Sequence, residues 1–139
     1  MADNQQGPTG GLTPYLISAD AAAQRDFYIK AFGATEAMSH KAEDGKRYMH
    51  MHLLINGASL LMCDAFPEYG HAAQTPAGYT LHLQVDDADT WWKRATEAGA
   101  TVAMPLEDQF WGDRYGQVID PFGVRWSIGS PKKAEVRNT

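Results

Sequence analysis

The sequence predicts an α+β fold of two βαβββ modules, whose curled mixed sheets surround a cleft. Three observations predict it. Displacing the 139-residue chain by 66 positions lays Gly33-Ala34-Thr35-Glu36-Ala37-Met38 on Gly99-Ala100-Thr101-Val102-Ala103-Met104, with five of the six residues identical. The same displacement sets Asp20 on Asp86, Ala22 on Ala88 and Gly57 on Gly123. An internal repeat of this kind decides architecture ahead of any single element. Finally, each half holds one segment bounded by an acidic cap and a glycine, followed by short runs separated by turn residues.

In the first half, Thr13 to Ser18 is a short strand. Asp20 is the expected N-cap of a helix, its carboxylate accepting free backbone N–H groups. Phe27, Ala31 and Phe32 recur at helical spacing, and Gly33 supplies a left-handed stop. Strands follow at Thr35 to Lys41, at Arg47 to Ile55 and at Ala58 to Cys63. They are joined by the Asp44-Gly45 and Asn56-Gly57 turns. In the second half, Tyr79 to Val85 is a strand, and Asp86 or Asp87 caps a helix that ends at Gly99. Thr101 to Met104 is a strand and Pro105 to Asp113 a longer loop. Arg114 to Ile119 and Val124 to Ile128 close the module through Asp120-Pro121-Phe122-Gly123. The stretch from Phe66 to Gly78, with two prolines and two glycines, is expected to be a linker. Residues 1–10 and 131–139 are polar, without periodicity, and are expected to be disordered. One domain over residues 11–130 remains, with modules at 11–65 and 77–130.

Composition excludes several function classes. Twelve Lys and Arg against seventeen Asp and Glu give a net charge of −5, which lacks the basic face that nucleic acid or an anionic membrane requires. No apolar run approaches the ~20 residues of a membrane span, and the N-terminus has no signal-peptide pattern. One cysteine, Cys63, allows no internal disulfide, so a reducing cytoplasm is the expected location.

The ordered set of Asp20, Phe27-Tyr28 and Phe32-Gly33-Ala34 in the first half is joined by Val85-Asp86, Ala98-Gly99-Ala100 and Asp120-Pro121-Phe122-Gly123 in the second. Together they resemble the vicinal oxygen chelate superfamily, which includes glyoxalase I, extradiol dioxygenases, and fosfomycin- and bleomycin-resistance proteins. Phe110-Trp111-Gly112-Asp113-Arg114 and Thr13-Pro14-Tyr15 look like its PhnB-like branch. The resemblance covers roughly Leu12 to Gly129 and implies a homodimer. It also implies a divalent metal held by His, Gln or Glu. Carried onto this chain, those positions are Thr13, Leu61 or Met62, Thr80 and Ser127. None is a strong ligand for a divalent transition metal, so the usual ligand set is expected to be missing.

Other residues define the alternatives. His50 and His52 lie two apart on one strand and share a face. His82 shares a face with Thr80. These three either line a polar cleft wall or form a displaced site for zinc, nickel, manganese or iron. Trp111, Arg114 and Tyr115 offer a stacking surface, a fork for a carboxylate or phosphate, and a phenol. Their alternative is local pairing with Asp113 and cover for an edge. Tyr15, Arg125 and Ser127 are the remaining candidates for contact with a ligand. Trp91, Trp92 and Trp126 point to packing. Cys63 has no evident base, and Glu68 and Glu107 are expected to be solvated.

Three functions fit these residues. The first is a small-molecule-binding protein without metal, taking a flat or anionic compound between two sheets. The second is a metal-dependent lyase or dioxygenase with a displaced histidine site. The third is a dimeric structural protein with no small ligand. No catalytic residue is assigned, and whether the protein is an enzyme stays open at this point.

Overall fold

The computed structural model describes residues 7–132. The expected disorder of residues 1–6 and 133–139 lies outside the described residues. The chain divides into two compact units, residues 1–75 and 76–139, each with its own sheet and helix.

In the first unit, β1 (Tyr15–Ser18), α1 (Ala21–Phe32), β2 (Thr35–Lys41), β3 (Tyr48–Ile55) and β4 (Ala58–Asp64) follow in the expected order. The four strands form one mixed sheet in the order β1-β4-β3-β2, with β1 parallel to β4. Asp20 caps α1 by accepting from the Ala23 N–H at 3.1 Å. Gly33 stops the helix in the left-handed region at φ 68° and donates to Ile29, a conformation that costs glycine nothing. Tyr28, Ala31 and Phe32 are buried against the sheet with Met51, Leu53 and Met62. Beneath α1 a buried polar chain runs from Ser18 Oγ to Gln24 Oε1 and from Gln24 Nε2 to the Tyr28 hydroxyl, at 2.6 and 2.7 Å. Buried Asp64 joins helix and sheet. One of its oxygens accepts the Ala21 N–H and the other the Tyr48 N–H, each at 2.7 Å.

The second unit repeats the plan with β5 (Leu81–Gln84), α2 (Ala88–Ala98), β6 (Thr101–Asp108), β7 (Asp113–Ile119) and β8 (Arg125–Pro131), in the sheet order β5-β8-β7-β6. The fold is therefore α+β, with two four-stranded mixed sheets and two helices. Ser130, 66 residues after Asp64, accepts the Ala88 N–H at 3.2 Å, so a hydroxyl does for α2 part of what a carboxylate does for α1. Asp87 rather than Asp86 is the N-cap, accepting from Asp89 N–H. Buried Asp120 organises the final turn. Its Oδ1 accepts the N–H groups of Phe122 and Val124, and its Oδ2 the Trp126 indole N–H at 2.9 Å. All four tryptophans belong to this unit.

Several boundaries differ from the expected ones. Pro105 to Asp108, expected in a loop, continue β6. Proline is tolerated there because β6 is an edge strand and its register shifts between Met104 and Glu107, where no ladder N–H is demanded of Pro105. The strand expected from Tyr79 to Val85 is confined to Leu81–Gln84, and β8 runs past Ile128 to Pro131. No described helix is long and apolar enough to cross a membrane.

Candidate functional site

The first unit contains a cavity of 980 Å³. Tyr15 and Ile17 from β1, Met49 from β3 and Cys63 from β4 form one part of its lining. Phe66, Tyr69 and His71 form another, and Ala42, Glu43, Asp44 and Arg47 come from the β2–β3 turn. Tyr15 alternates outward while Leu16 and Ser18 turn into the core, the period-2 consequence of a strand with one packed face. Parallel pairing sets Ile17 beside Cys63. Burial pushes the Cys63 thiol above its ordinary range, so it is protonated and nearly apolar at neutral pH. Burial likewise raises the Tyr15 phenol, with Cys63 adding to the shift.

The segment expected to be a linker builds one wall. Pro67–Tyr69 is a single 3-10 turn with proline at its start and Gly70 at its end, at φ 84°. A bridge between Phe66 and His71 closes it. Phe66 and Tyr69 lie 6.2 Å apart, tilted by 34°. Arg47 holds this turn to the β2–β3 turn. Its Nε donates to Asp44 at 2.8 Å, and Nη1 and Nη2 donate to the two oxygens of Glu68 at 3.1 and 2.7 Å. The guanidinium also stands 4.2 Å from the Phe66 ring centre, in cation–π range. Glu68, expected to be solvated, is instead half of a bidentate pair. Asp44 is held at about 2, chiefly by the Lys46 backbone N–H and then by Arg47. Arg47 also holds the Glu68 carboxyl below its ordinary value.

Of the residues singled out from sequence, Tyr15 lines this cavity, and its hydroxyl lies 3.5 Å from His50 Nδ1. His52 is buried and bonded through Nε2 to Ser59 Oγ at 2.8 Å. The second unit gathers a different set. His82 Nδ1 meets Ser127 Oγ at 2.7 Å and Nε2 meets Gln84 Oε1 at 2.8 Å, so both ring nitrogens are engaged. Tyr115 stacks on His82 at 5.9 Å, and Gln117 links the Tyr115 hydroxyl to Arg125. Arg114 grips Asp89 at 3.0 Å and reaches Asp108 at 3.2 Å. That double pairing holds its charge firmly, and an incoming anion would have to displace a carboxylate. Trp111 donates to Asp113 at 3.1 Å and meets Tyr115 edge-on. Phe110 beside it is 97% exposed at the β6–β7 tip.

Residues 12–128 match the family model of the Glyoxalase/Bleomycin resistance protein/Dioxygenase superfamily. The chain belongs to that superfamily. Among curated relatives it is 45% identical over 142 residues to the uncharacterized protein Rv0887c of Mycobacterium tuberculosis (strain ATCC 25618 / H37Rv), covering 94% of this chain and 83% of that protein. Among solved structures, PA1353 from Pseudomonas aeruginosa is 25% identical with a TM-score of 0.71, over 90% of this chain and 100% of that one. TnmS3 from Streptomyces sp. CB03234, described as an antibiotic binding protein, shares the fold at 23% identity with a TM-score of 0.67, over 92% of this chain and 100% of that one.

The metal implied by the superfamily resemblance does not fit the residues at the implied positions. Thr13 and Thr80 offer weak hydroxyls, Leu61 and Met62 no hard donor, and the Ser127 hydroxyl is engaged by His82. Nor do His, Cys, Asp or Glu side chains gather in threes to hold a metal ion elsewhere among the described residues.

The cavity residues absent from the sequence-based selection include Ile17, Glu43, Arg47, Phe66 and Tyr69. A signal for the last two was present: Phe66-Pro67-Glu68-Tyr69-Gly70 places proline at a turn start and glycine at its end, between aromatic residues. Arg47 carried none, because nothing local marks its bond to Glu68, 21 residues away.

Proposed function

We propose that the first unit binds a flat, aromatic small molecule in its cavity, without a metal ion. The observation that carries this reading is the 980 Å³ cavity faced by Tyr15, Phe66 and Tyr69 and floored by Ile17, Met49 and Cys63. Its volume falls in the range of about 300–1,000 Å³ occupied by drug-sized ligands, and its lining is the usual mix of apolar walls and few polar groups. Aromatic walls favour a planar guest through offset or edge stacking, and Met49 adapts to its outline. The alternative lyase or dioxygenase finds no gathered set of three His, Cys, Asp or Glu donors among the described residues. A binding role is in keeping with the bleomycin resistance proteins that the superfamily includes and with the description of TnmS3, though the same superfamily also includes enzymes.

Three finer readings accompany this one. The Phe110-Trp111-Gly112-Asp113-Arg114 and Thr13-Pro14-Tyr15 motifs support a PhnB-like branch. The family supports a homodimer, and the single thiol suits a reducing cytoplasm.

Titration with the neutral planar dye Nile red tests the cavity. A saturable rise in emission is expected, weakened about fivefold by Phe66→Ala and by Tyr69→Ala, the loss appropriate to one aromatic contact. Non-saturable binding, or saturable binding that neither substitution alters, would remove the cavity as the site.

A further inference from the structure

Resting on that reading of the cavity, we infer that its preferred ligand carries a positive charge, with Glu43 as the counter-ion. The charges at the rim decide this. Arg47 is the one arginine or lysine among the cavity-lining residues, and it is where a flat anion would otherwise be expected to bind. Its guanidinium already donates to Asp44, to both oxygens of Glu68 and, at 3.4 Å, to the Ala65 carbonyl. Two carboxylates on one guanidinium leave that cluster with an excess negative charge. An entering anion would have to break a bidentate pair and then face the released carboxylate.

Glu43 adds a second negative charge. It lines the cavity beside Asp44 and is exposed, with no hydrogen bond or ion pair among the described residues. Asp44 is saturated by the Lys46 and Arg47 N–H groups and the Arg47 side chain. Glu43 has no such partners, so its carboxylate is available to a guest. Lys46, next in the turn, does not line the cavity, and His71, which does, is the only other titratable nitrogen there. The aromatic walls favour the same sign. Tyr69 is 75% and Tyr15 50% exposed, and the negative face of a phenol ring attracts a cation while repelling an anion. One such contact already exists, where Arg47 covers Phe66. An external planar cation would repeat on Tyr69 what Arg47 does on Phe66. The same arrangement opposes the anionic half of the flat or anionic class that the sequence alone left in play.

The test compares proflavine, a planar cation, with 1-anilinonaphthalene-8-sulfonate, an anion, both displacing Nile red from the full chain at low ionic strength. Proflavine is expected to bind about fivefold or more tightly, as one unscreened opposite charge a few ångströms away would give. Glu43→Gln should remove most of that preference, read as the ratio of the two displacement affinities, and salt near 0.5 M should compress it. Equal or tighter binding of the anion, or a preference that Glu43→Gln leaves intact, overturns the cationic ligand while the cavity reading stands. Failure of all three dyes to bind saturably overturns the cavity reading and this inference together.

Discussion

At the scale of single residues, three acidic side chains show how environment divides one chemistry into separate jobs. Asp120 is buried and satisfies two backbone N–H groups and an indole. Asp120→Ala should strand those donors and lower stability by about 3 kcal/mol, measured by urea denaturation. Asp44 is exposed, yet local N–H groups and Arg47 hold it at about 2, against an ordinary aspartate near ~3.9. Its folded value is depressed, so its contribution to stability is complete above the unfolded value. That contribution fades as pH falls through about 2; Glu68, also depressed, acts in the same sense. Carboxyl NMR should therefore give Asp44 a midpoint near 2. Arg47→Met should raise it only in part, because the Lys46 N–H remains the larger cause. Glu43 has no hydrogen bond or ion pair among the described residues, and the proposed role of counter-ion rests on that. These distinctions were not legible in the sequence, where Glu43 and Asp44 are neighbours of the same charge. Tyr15 was legible only as a candidate, because sharing a face with Thr13 left ligand contact and core packing equally open; it is half exposed along the cavity.

At the scale of elements, local rules succeeded where the chain's own chemistry sets the geometry. Asp20 and Gly33 bound α1 as their types require, and the repeat predicted the plan of the second sheet from the first. Rules failed where a distant neighbour decides. Proline at position 105 signalled a loop, but an edge position with a register shift lets β6 pass through it. Phe66 to His71 signalled a linker, but Arg47 folds it into a wall. Close packing between elements gives a sharper test at Gly116 on β7. A Cβ there would meet the Leu106 backbone at 2.8 Å and Trp92 Cζ3 at 2.7 Å. Gly116→Ala should cost about 1–3 kcal/mol by overpacking, read as a drop in Tm. Gly45, where a Cβ meets nothing within 4 Å but φ is +70°, should show only the smaller backbone cost, about 1–2 kcal/mol.

At the scale of the whole molecule, the proposed dimer predicts a sedimentation mass of twice the 15.3 kDa chain; a mass near that of one chain would count against it. Membership of the superfamily was legible in the ordered repeat, because capping residues and tight turns tolerate few residue types. The cavity was not, since its walls come from three separated stretches of chain. One further consequence follows from where two residue types fall. The chain's single thiol, buried Cys63, belongs to the first unit, and every indole belongs to the second. Modification of the thiol, once its reaction through the native cavity is subtracted, reports the opening of one half, while tryptophan emission reports the other. Coincident midpoints in denaturant would mark one cooperative transition, and separated midpoints two. The protein thus carries, in its native composition, a matched pair of probes for asking whether its duplicated halves unfold as partners or as individuals.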